Sequence, residues 1–267
     1  MAEMRKIGIN YQAKRGLDAE AYARKVKELG FDTIFTGVAR TLDEQYALAD
    51  VFAKNGLIYE NLHAPFGHIN DIWFDSEGGE AMIGELINSV DHCAAVNAPI
   101  LVVHLSSGVK APQITDIGRA RFETLVEHAA EKGVTLAFEN QRKIANIAWI
   151  FENFQNCDNV AFCWDCGHEA CFTLGREYMP LFGDKLVCTH IHDNFKVFNG
   201  DAHLIPFDGK IDFERFAEHI NRHGYKGPLT LEVIASNSDL YEEMTVDAYL
   251  EKAAATVKKL RAMVDGE

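Results

Sequence analysis

The sequence predicts a single (β/α)8 barrel over residues 1–267. Three observations carry that prediction. Apolar, β-branched runs alternate with amphipathic helical stretches, and eight such pairs can be read along the chain. The runs are continuously apolar, as strands of a parallel sheet are when both faces are covered. Their C-terminal ends carry His, Asp and Glu, the end at which a barrel gathers its chemistry. An open doubly wound sheet also alternates strands with helices, but the count of eight and the placement of the polar residues favour closure. A barrel of this kind takes about 250 residues as one unit. No linker, low-complexity tract or shift in composition interrupts the chain, so one domain is expected.

Each element follows from its own signals. The first strand is read over 6–11, and the helix over 17–30 closes on Gly30 as its C-cap. Strand two covers 31–38. The helix over 41–56 opens with Thr41 as N-cap and Glu44 three residues later, a capping box. Strand three, 57–65, is stopped by Pro65, and the longer loop after it carries Phe66 and Trp73. A helix over 79–97, strand four over 99–107 and a helix over 115–133 come next. Strand five covers 135–140, followed by a helix over 144–154. Strand six is read over 160–168, with a short helix over 175–184. Strand seven covers 186–193, and its helix, 211–224, follows a long loop. Strand eight, 228–234, and a helix over 245–264 complete the pattern.

The densest polar chemistry lies in LVCTHIHDNFKVFNGDAHLIPFDG, residues 186–209. Collected from the strand ends are His63, His104, Glu139, Asp165, His168, His190, His192 and Glu232, and the loop after strand seven adds Asp201 and His203. Two glutamates, an aspartate and a histidine converging make an oxygen-rich site for manganese, magnesium, cobalt or zinc. Three carboxylates buried together without a cation would repel one another and lose hydration. Glu139 follows LAF and Glu232 follows LTL, so each leaves a buried strand with nowhere wet to point. His190 is taken as the histidine ligand, and His192, expected to face away from it, as a residue that supports the ligands from behind or packs. The Asp165-Cys-Gly-His168 spacing lets one turn put a carboxylate on the ion and an imidazole beside it, holding a substrate hydroxyl or a second ion. Phe66 and Trp73 are expected either to close over a sugar's apolar face or simply to pack their loop. His92, His128, His219 and His223 fall on helices and are expected at the surface, and His68 has no assignment.

Composition narrows the partners. A formal net charge of −14 argues against nonspecific nucleic-acid binding, which relies on Lys and Arg. The N-terminal stretch lacks the apolar core of a signal peptide, and no apolar run approaches about 18 residues. Cys163 and Cys166 form a C-x-x-C inside an apolar run with no second pair, which reads as buried thiols rather than a zinc knuckle. Six cysteines without regular spacing fit a reducing compartment, so a cytoplasmic protein without membrane contact is expected. Neither a G-x-G-x-x-G nor a Walker pattern is present, and no phosphate cradle is evident, so nucleotide cofactors and phosphorylated substrates are not expected.

The motifs LHAPF, VVHLSSG, LAFEN, WDCGH, HIHDN, DAHLIPFDGKIDF and LTLEV, in this order, resemble the xylose isomerase-like TIM barrel superfamily over nearly the whole chain. That superfamily includes sugar epimerases, inosose dehydratases and the endonuclease IV apurinic endonucleases. In the sugar-acting branch the resemblance implies that Glu139, Asp165, His190 and Glu232 bind one divalent metal, zinc or manganese with magnesium and cobalt as alternatives, and that His168 contacts substrate. HLIPFDGKIDF looks like the H-x-x-P-G-x-G-x-I-D-[WF] run of sugar isomerases, with Phe207 and Asp208 standing where that run often has Gly and Glu. The endonuclease branch binds three zinc ions, and His63, His104, His168, Asp201 and His203 fall where its extra ligands would. That branch implies a zinc-dependent phosphodiesterase acting on abasic DNA. The helix-to-strand loops are short, however, and only isolated residues such as Lys110 and Arg142 lie near the expected DNA face, so nucleic acid is not the expected partner.

The expected function is therefore a metal-dependent isomerase or epimerase of a small sugar, keto-sugar or polyol. Protons would pass through a metal-stabilised enediolate, with Glu139 and Glu232 as the acid–base pair. A dehydratase would use the same chemistry to expel a β-hydroxyl. The resemblance also implies a homo-oligomer, a dimer or tetramer.

Overall fold

The computed structural model describes residues 4–11, 17–174 and 176–266. Parts of the N-terminal stretch and Gly175, the first residue of the helix expected over 175–184, lie outside the described residues. Eight parallel strands form a (β/α)8 barrel: β1 (Ile7–Asn10), β2 (Thr33–Gly37), β3 (Ile58–His63), β4 (Ile100–Val103), β5 (Thr135–Glu139), β6 (Val160–Asp165), β7 (Leu186–His190) and β8 (Leu229–Leu231). Their order in the sheet is β7-β6-β5-β4-β3-β2-β1-β8. The two ends of that order meet where Ile191, just past β7, bridges in parallel to Leu231 of β8. The helices among the described residues are α1 (Ala19–Glu28), α2 (Leu42–Lys54), α3 (Glu77–Ala95), α4 (Asp116–Lys132), α5 (Ile144–Asn153), α6 (Cys166–Phe172), α7 (Met179–Phe182), α8 (Phe213–Arg222) and α9 (Val246–Asp265).

The internal contacts divide the chain into two compact units. The first comprises Met1–Phe35, Leu48–Tyr59 and Trp164–Glu267. Within it β1 runs parallel to β2 and to β8, with Gly8 in register with Thr33 and Thr230. A side chain at Gly8 would overlap both threonine hydroxyls, which is why this strand carries glycine at its centre. Asn10 closes the end of β1 by donating to Val233 O and accepting from Val233 N, both at 3.1 Å. The second unit comprises Thr36–Ala47 and Glu60–Cys163, where β3, β4, β5 and β6 pair in parallel. Its aromatic core includes Trp73, Phe122, Phe138 and Phe162, all essentially inaccessible.

Local signals explain most helix ends. Thr41 and Glu44 exchange the reciprocal bonds of a capping box at 3.2 and 3.3 Å. Ser76, Thr115, Asp212 and Thr245 cap α3, α4, α8 and α9 by accepting a backbone N–H. Gly30 and Gly133 stand just past α1 and α4 with φ of 89° and 69°.

The departure from the expected boundaries that most affects the site is at β6. The apolar run predicts strand to His168, but the strand stops at Asp165 and α6 begins at Cys166. Asp165 causes the break: its Oδ1 accepts the His168 backbone N–H at 2.6 Å and caps the new helix. His92 and His219, expected at the surface, are buried at 4% and 2% exposure because their faces of α3 and α8 turn inward. Five of the six cysteines, including Cys163 and Cys166, are buried. Among the described residues no helix is long and apolar enough to cross a membrane.

Candidate active site and metal ligands

In the second unit, β3, β4 and β5 end in His63, in Val103 followed by His104, and in Glu139. Glu139 is 1% exposed. His104 Nε2 lies 2.6 Å, and His63 Nε2 3.1 Å, from the same Glu139 Oε2. His63 Nδ1–H donates to Ala64 O at 2.8 Å, which fixes its tautomer and turns Nε2 towards the carboxylate. Phe66 stacks on His104 at 4.5 Å between ring centroids and meets His63 edge-on, with 47% of its surface exposed.

Trp73, further along that loop, behaves differently. Trp73 is 1% exposed, donates from Nε1 to Leu105 O at 2.8 Å, and packs on Phe122 and Trp149. Of the two residues weighed as a lid, Trp73 is therefore a core side chain, because its loop is pinned from beneath. Arg121 donates to Ile72 O and Phe74 O, each at 2.7 Å, and Thr115 Oγ1 donates to Trp73 O. Only Phe66 remains on the surface over the imidazoles.

The first unit holds Asp165, His168, His190, His192, Asp201, His203 and Glu232. His190 is completely buried, stacks on Phe35 at 4.7 Å, and presents Nδ1 3.4 Å from Glu232 Oε2. The α6 cap swings His168 into the first helical turn, where Phe172 stacks against it. Asp201 lies between two imidazoles. His168 Nε2 and His203 Nε2 are each 3.2 Å from its Oδ2. His203 Nδ1–H donates to Glu232 O at 2.9 Å, so here too the backbone orients Nε2. The loop bends sharply to make this arrangement, with His203 at φ 46°.

His192 does not turn away from this group as expected. Positions two apart on an extended chain share a face, and its Nε2 lies 3.1 Å from Asp165 Oδ1 and 3.7 Å from Asp201 Oδ1. Its ring stacks on His203 at 4.0 Å. The signal that identifies it was in the sequence, in the H-x-H spacing of HIHDN. Two other residues of that motif, Asp193 and Asn194, are also wholly buried and were not singled out as site residues.

Charge in the cluster is strongly coupled. Burial opposes ionisation of Asp201, but hydrogen bonds from His168 and His203 and their positive charge hold its carboxyl well below the usual range. Burial likewise opposes the charge on His203, while the Asp201 hydrogen bond and the Glu232, Asp201 and Asp165 carboxylates push it up to about 9.

The donor set fits a divalent cation. One ligand atom each from His168, His192, Asp201 and His203 lies within 4.8 Å of all the others. Bonds of about 2.0–2.1 Å to a tetrahedral ion set ligand atoms about 3.3–3.4 Å apart. His168 Nε2 and His203 Nε2, each 3.2 Å from Asp201 Oδ2, stand near that spacing. Asp201 Oδ1 is buried with no hydrogen-bond partner among the described residues, the state of a carboxylate oxygen that a cation would satisfy.

Known proteins place the chain further. The uncharacterized protein y4fM of Sinorhizobium fredii is 30% identical over 193 residues, 67% of this chain. The chain spans 60% of that relative's length. D-Psicose 3-epimerase of Clostridium cellulolyticum H10, solved with D-tagatose, superposes with a TM-score of 0.79 at 15% identity over 97% of this chain and 99% of that one. The apo 3-keto-D-glucoside 4-epimerase YcjR of E. coli gives 0.74 at 18% identity over 95% and 99%. A xylose isomerase domain protein of Alicyclobacillus acidocaldarius gives 0.74 at 20% identity over 98% and 100%. These structural likenesses establish the fold. A family model described as xylose isomerase-like TIM barrel matches residues 23–262, and the chain belongs to that family.

Proposed function

We propose that this protein is a divalent-metal-dependent isomerase or epimerase of a small sugar, keto-sugar or polyol. The observation that carries the reading is that carboxylates and imidazoles stand at the strand ends within each unit, Glu139 with His63 and His104 in one, and Asp165, His190 and Glu232 in the other. Glu139 closes β5 in register with Cys163, two residues before Asp165 closes β6. His190 closes β7, and Glu232 follows β8 directly. Family membership and the names of the superposed structures, psicose 3-epimerase and 3-keto-glucoside 4-epimerase among them, support the same class.

Glu139, Asp165, His190 and Glu232 would hold zinc or manganese, with magnesium and cobalt as alternatives. When bound, the ion supplies a Lewis acid to a carbonyl and its neighbouring hydroxyl. One of Glu139 and Glu232 removes the proton α to the carbonyl. The other returns a proton to the opposite face for epimerisation, or assists its transfer to the adjacent carbon for isomerisation. His168 holds a substrate hydroxyl, and Phe66 covers the sugar's apolar face. The working form is a cytoplasmic homo-oligomer, a dimer or tetramer.

Elemental analysis of protein purified without chelator should give about one ion per chain, and a ketose panel in D₂O should show exchange of a carbon-bound proton. Glu139→Gln and Glu232→Gln should each lower kcat by roughly 10²–10⁴-fold. Full turnover in both variants with metal retained would sink the mechanism.

A second reading is favoured by one feature. In each unit two histidine Nε2 atoms flank one carboxylate oxygen, Glu139 Oε2 in one and Asp201 Oδ2 in the other. That repetition suits a multinuclear zinc centre in an endonuclease IV-like phosphodiesterase. Two or three zinc ions per chain and cleavage of abasic duplex would select it. Loss of water from the substrate would select an inosose-type dehydratase.

A further inference from the structure

Asp193 follows the histidines of β7 and is completely buried. Its carboxylate accepts four backbone N–H groups. Oδ1 takes those of Asn194 at 2.8 Å and Ile211 at 2.9 Å, and Oδ2 takes those of Phe207 at 3.0 Å and Gly209 at 2.8 Å. Its own N–H and C=O pair with Leu204 at 2.8 Å in both directions, as an isolated antiparallel bridge. Leu204 is the residue after His203. One aspartate thus touches residues 204, 207, 209 and 211 of the segment that carries Asp201 and His203.

The loop is shaped around that carboxylate. A Cβ at Gly209 would overlap Asp193 Oδ1 and Asn194 O, so the chain can pass there only as glycine. Phe207 is held at φ 74° and His203 at φ 46°, conformations that ordinary side chains seldom adopt without such restraint. Asn194 extends the anchor by donating to Gly167 O at 2.8 Å, which ties the loop to α6 and so to His168.

We infer that Asp193 is the positioning residue of this site: it sets where Asp201 and His203 stand relative to His168 without touching substrate or metal. Charge-assisted bonds to four N–H groups are strong and directional, and replacing one oxygen by an amide nitrogen would lose two of them and set donor against donor. For its functional consequence the inference rests on reading His168, His192, Asp201 and His203 as donors to a cation of their own, beside the Glu139 set, and for its structural one on the hydrogen bonds.

Two measurements on Asp193→Asn and wild type separate these. Amide exchange over 204–211 should accelerate in D193N while exchange in β4 and β5 stays unchanged. Titration with Co²⁺ alone, followed by visible absorption, should show D193N binding about 10–100-fold more weakly, as loss of a ligand-orienting partner does, with an altered band shape. Unchanged exchange over 204–211, or altered exchange with wild-type Co²⁺ affinity and spectrum, overturns the inference. A wild type that takes up no Co²⁺ defeats the metal reading instead, and exchange then decides the anchor alone. Should D193N fail to fold, Gly209→Ala presses on the same carboxylate from the loop side. It must weaken Co²⁺ binding likewise, and wild-type affinity in G209A counts against the inference.

Discussion

Glu169 shows how much a single side chain's meaning depends on what surrounds it. In the sequence it is an ordinary glutamate just past His168, between the expected strand and helix. In the fold its Oε2 accepts from Trp164 Nε1 at 3.1 Å and from Tyr178 N at 2.7 Å, beside a cavity of about 370 Å³ that Trp164, Glu177, Arg215 and His219 also line. Burial outweighs the two donors and pushes its carboxyl from the usual 4.5 up to about 7. A folded value above the unfolded one favours the native state at low pH. That contribution is complete below about 4.5 and is lost as pH rises through about 7. Glu169→Gln keeps an oxygen for both donors, so its urea stability should match wild type near pH 4 and exceed it near pH 8, by on the order of 2–3 kcal/mol. Equal stability at both pH values would refute this. The aromatic pair of the loop after β3 makes the same point. Sequence left Phe66 and Trp73 equivalent, whereas the backbone acceptor at Leu105 and the Arg121 clamp take only Trp73 inside.

Among the elements, α6 matters most for the site, and it was hidden within an apolar run. WDCGH reads as a continuation of the strand because Trp164 and Cys166 extend the apolar run across it. The cap at Asp165 ends the strand, and Gly167 then lets His192 lie against the helix, since a methyl there would overlap the imidazole ring. Gly167→Ala should therefore displace His192 and cost about 1–3 kcal/mol of stability. Denaturant unfolding measures the cost, and a variant as stable as wild type would show that the ring has room to move. The longer helices were legible almost to the residue, because Thr41, Thr115 and Thr245 cap, and Gly30 and Gly133 terminate, through contacts local in sequence.

At the scale of the molecule, the proposed ligands span residues 139 to 232, so a bound ion would join chain segments far apart in sequence. Whatever binds only the folded chain stabilises it. Zinc or manganese at about 100 times its dissociation constant should add about 2.7 kcal/mol to unfolding, and a chelator should remove it. A melting temperature indifferent to both metal and chelator would count against any metal site. The net charge of −14 works in the same direction, since a cation relieves repulsion that an acidic chain otherwise carries.

The sequence by itself determined the eight strand–helix units, the order in which they arrive, and the residues that end the strands, because apolar periodicity and capping are written in neighbouring positions. It placed Glu139, Asp165, His190 and Glu232 at strand ends, and Asp201 and His203 in the long loop. Only the tertiary structure decided which side chains meet. His192 joins Asp165 and stacks on His203, Trp73 leaves the surface, and Asp193 gathers four amides from residues 194 to 211. Such meetings depend on backbone turns at φ values no propensity foretells and on hydrogen-bond partners supplied from distant segments, so they exist only once the chain has closed on itself.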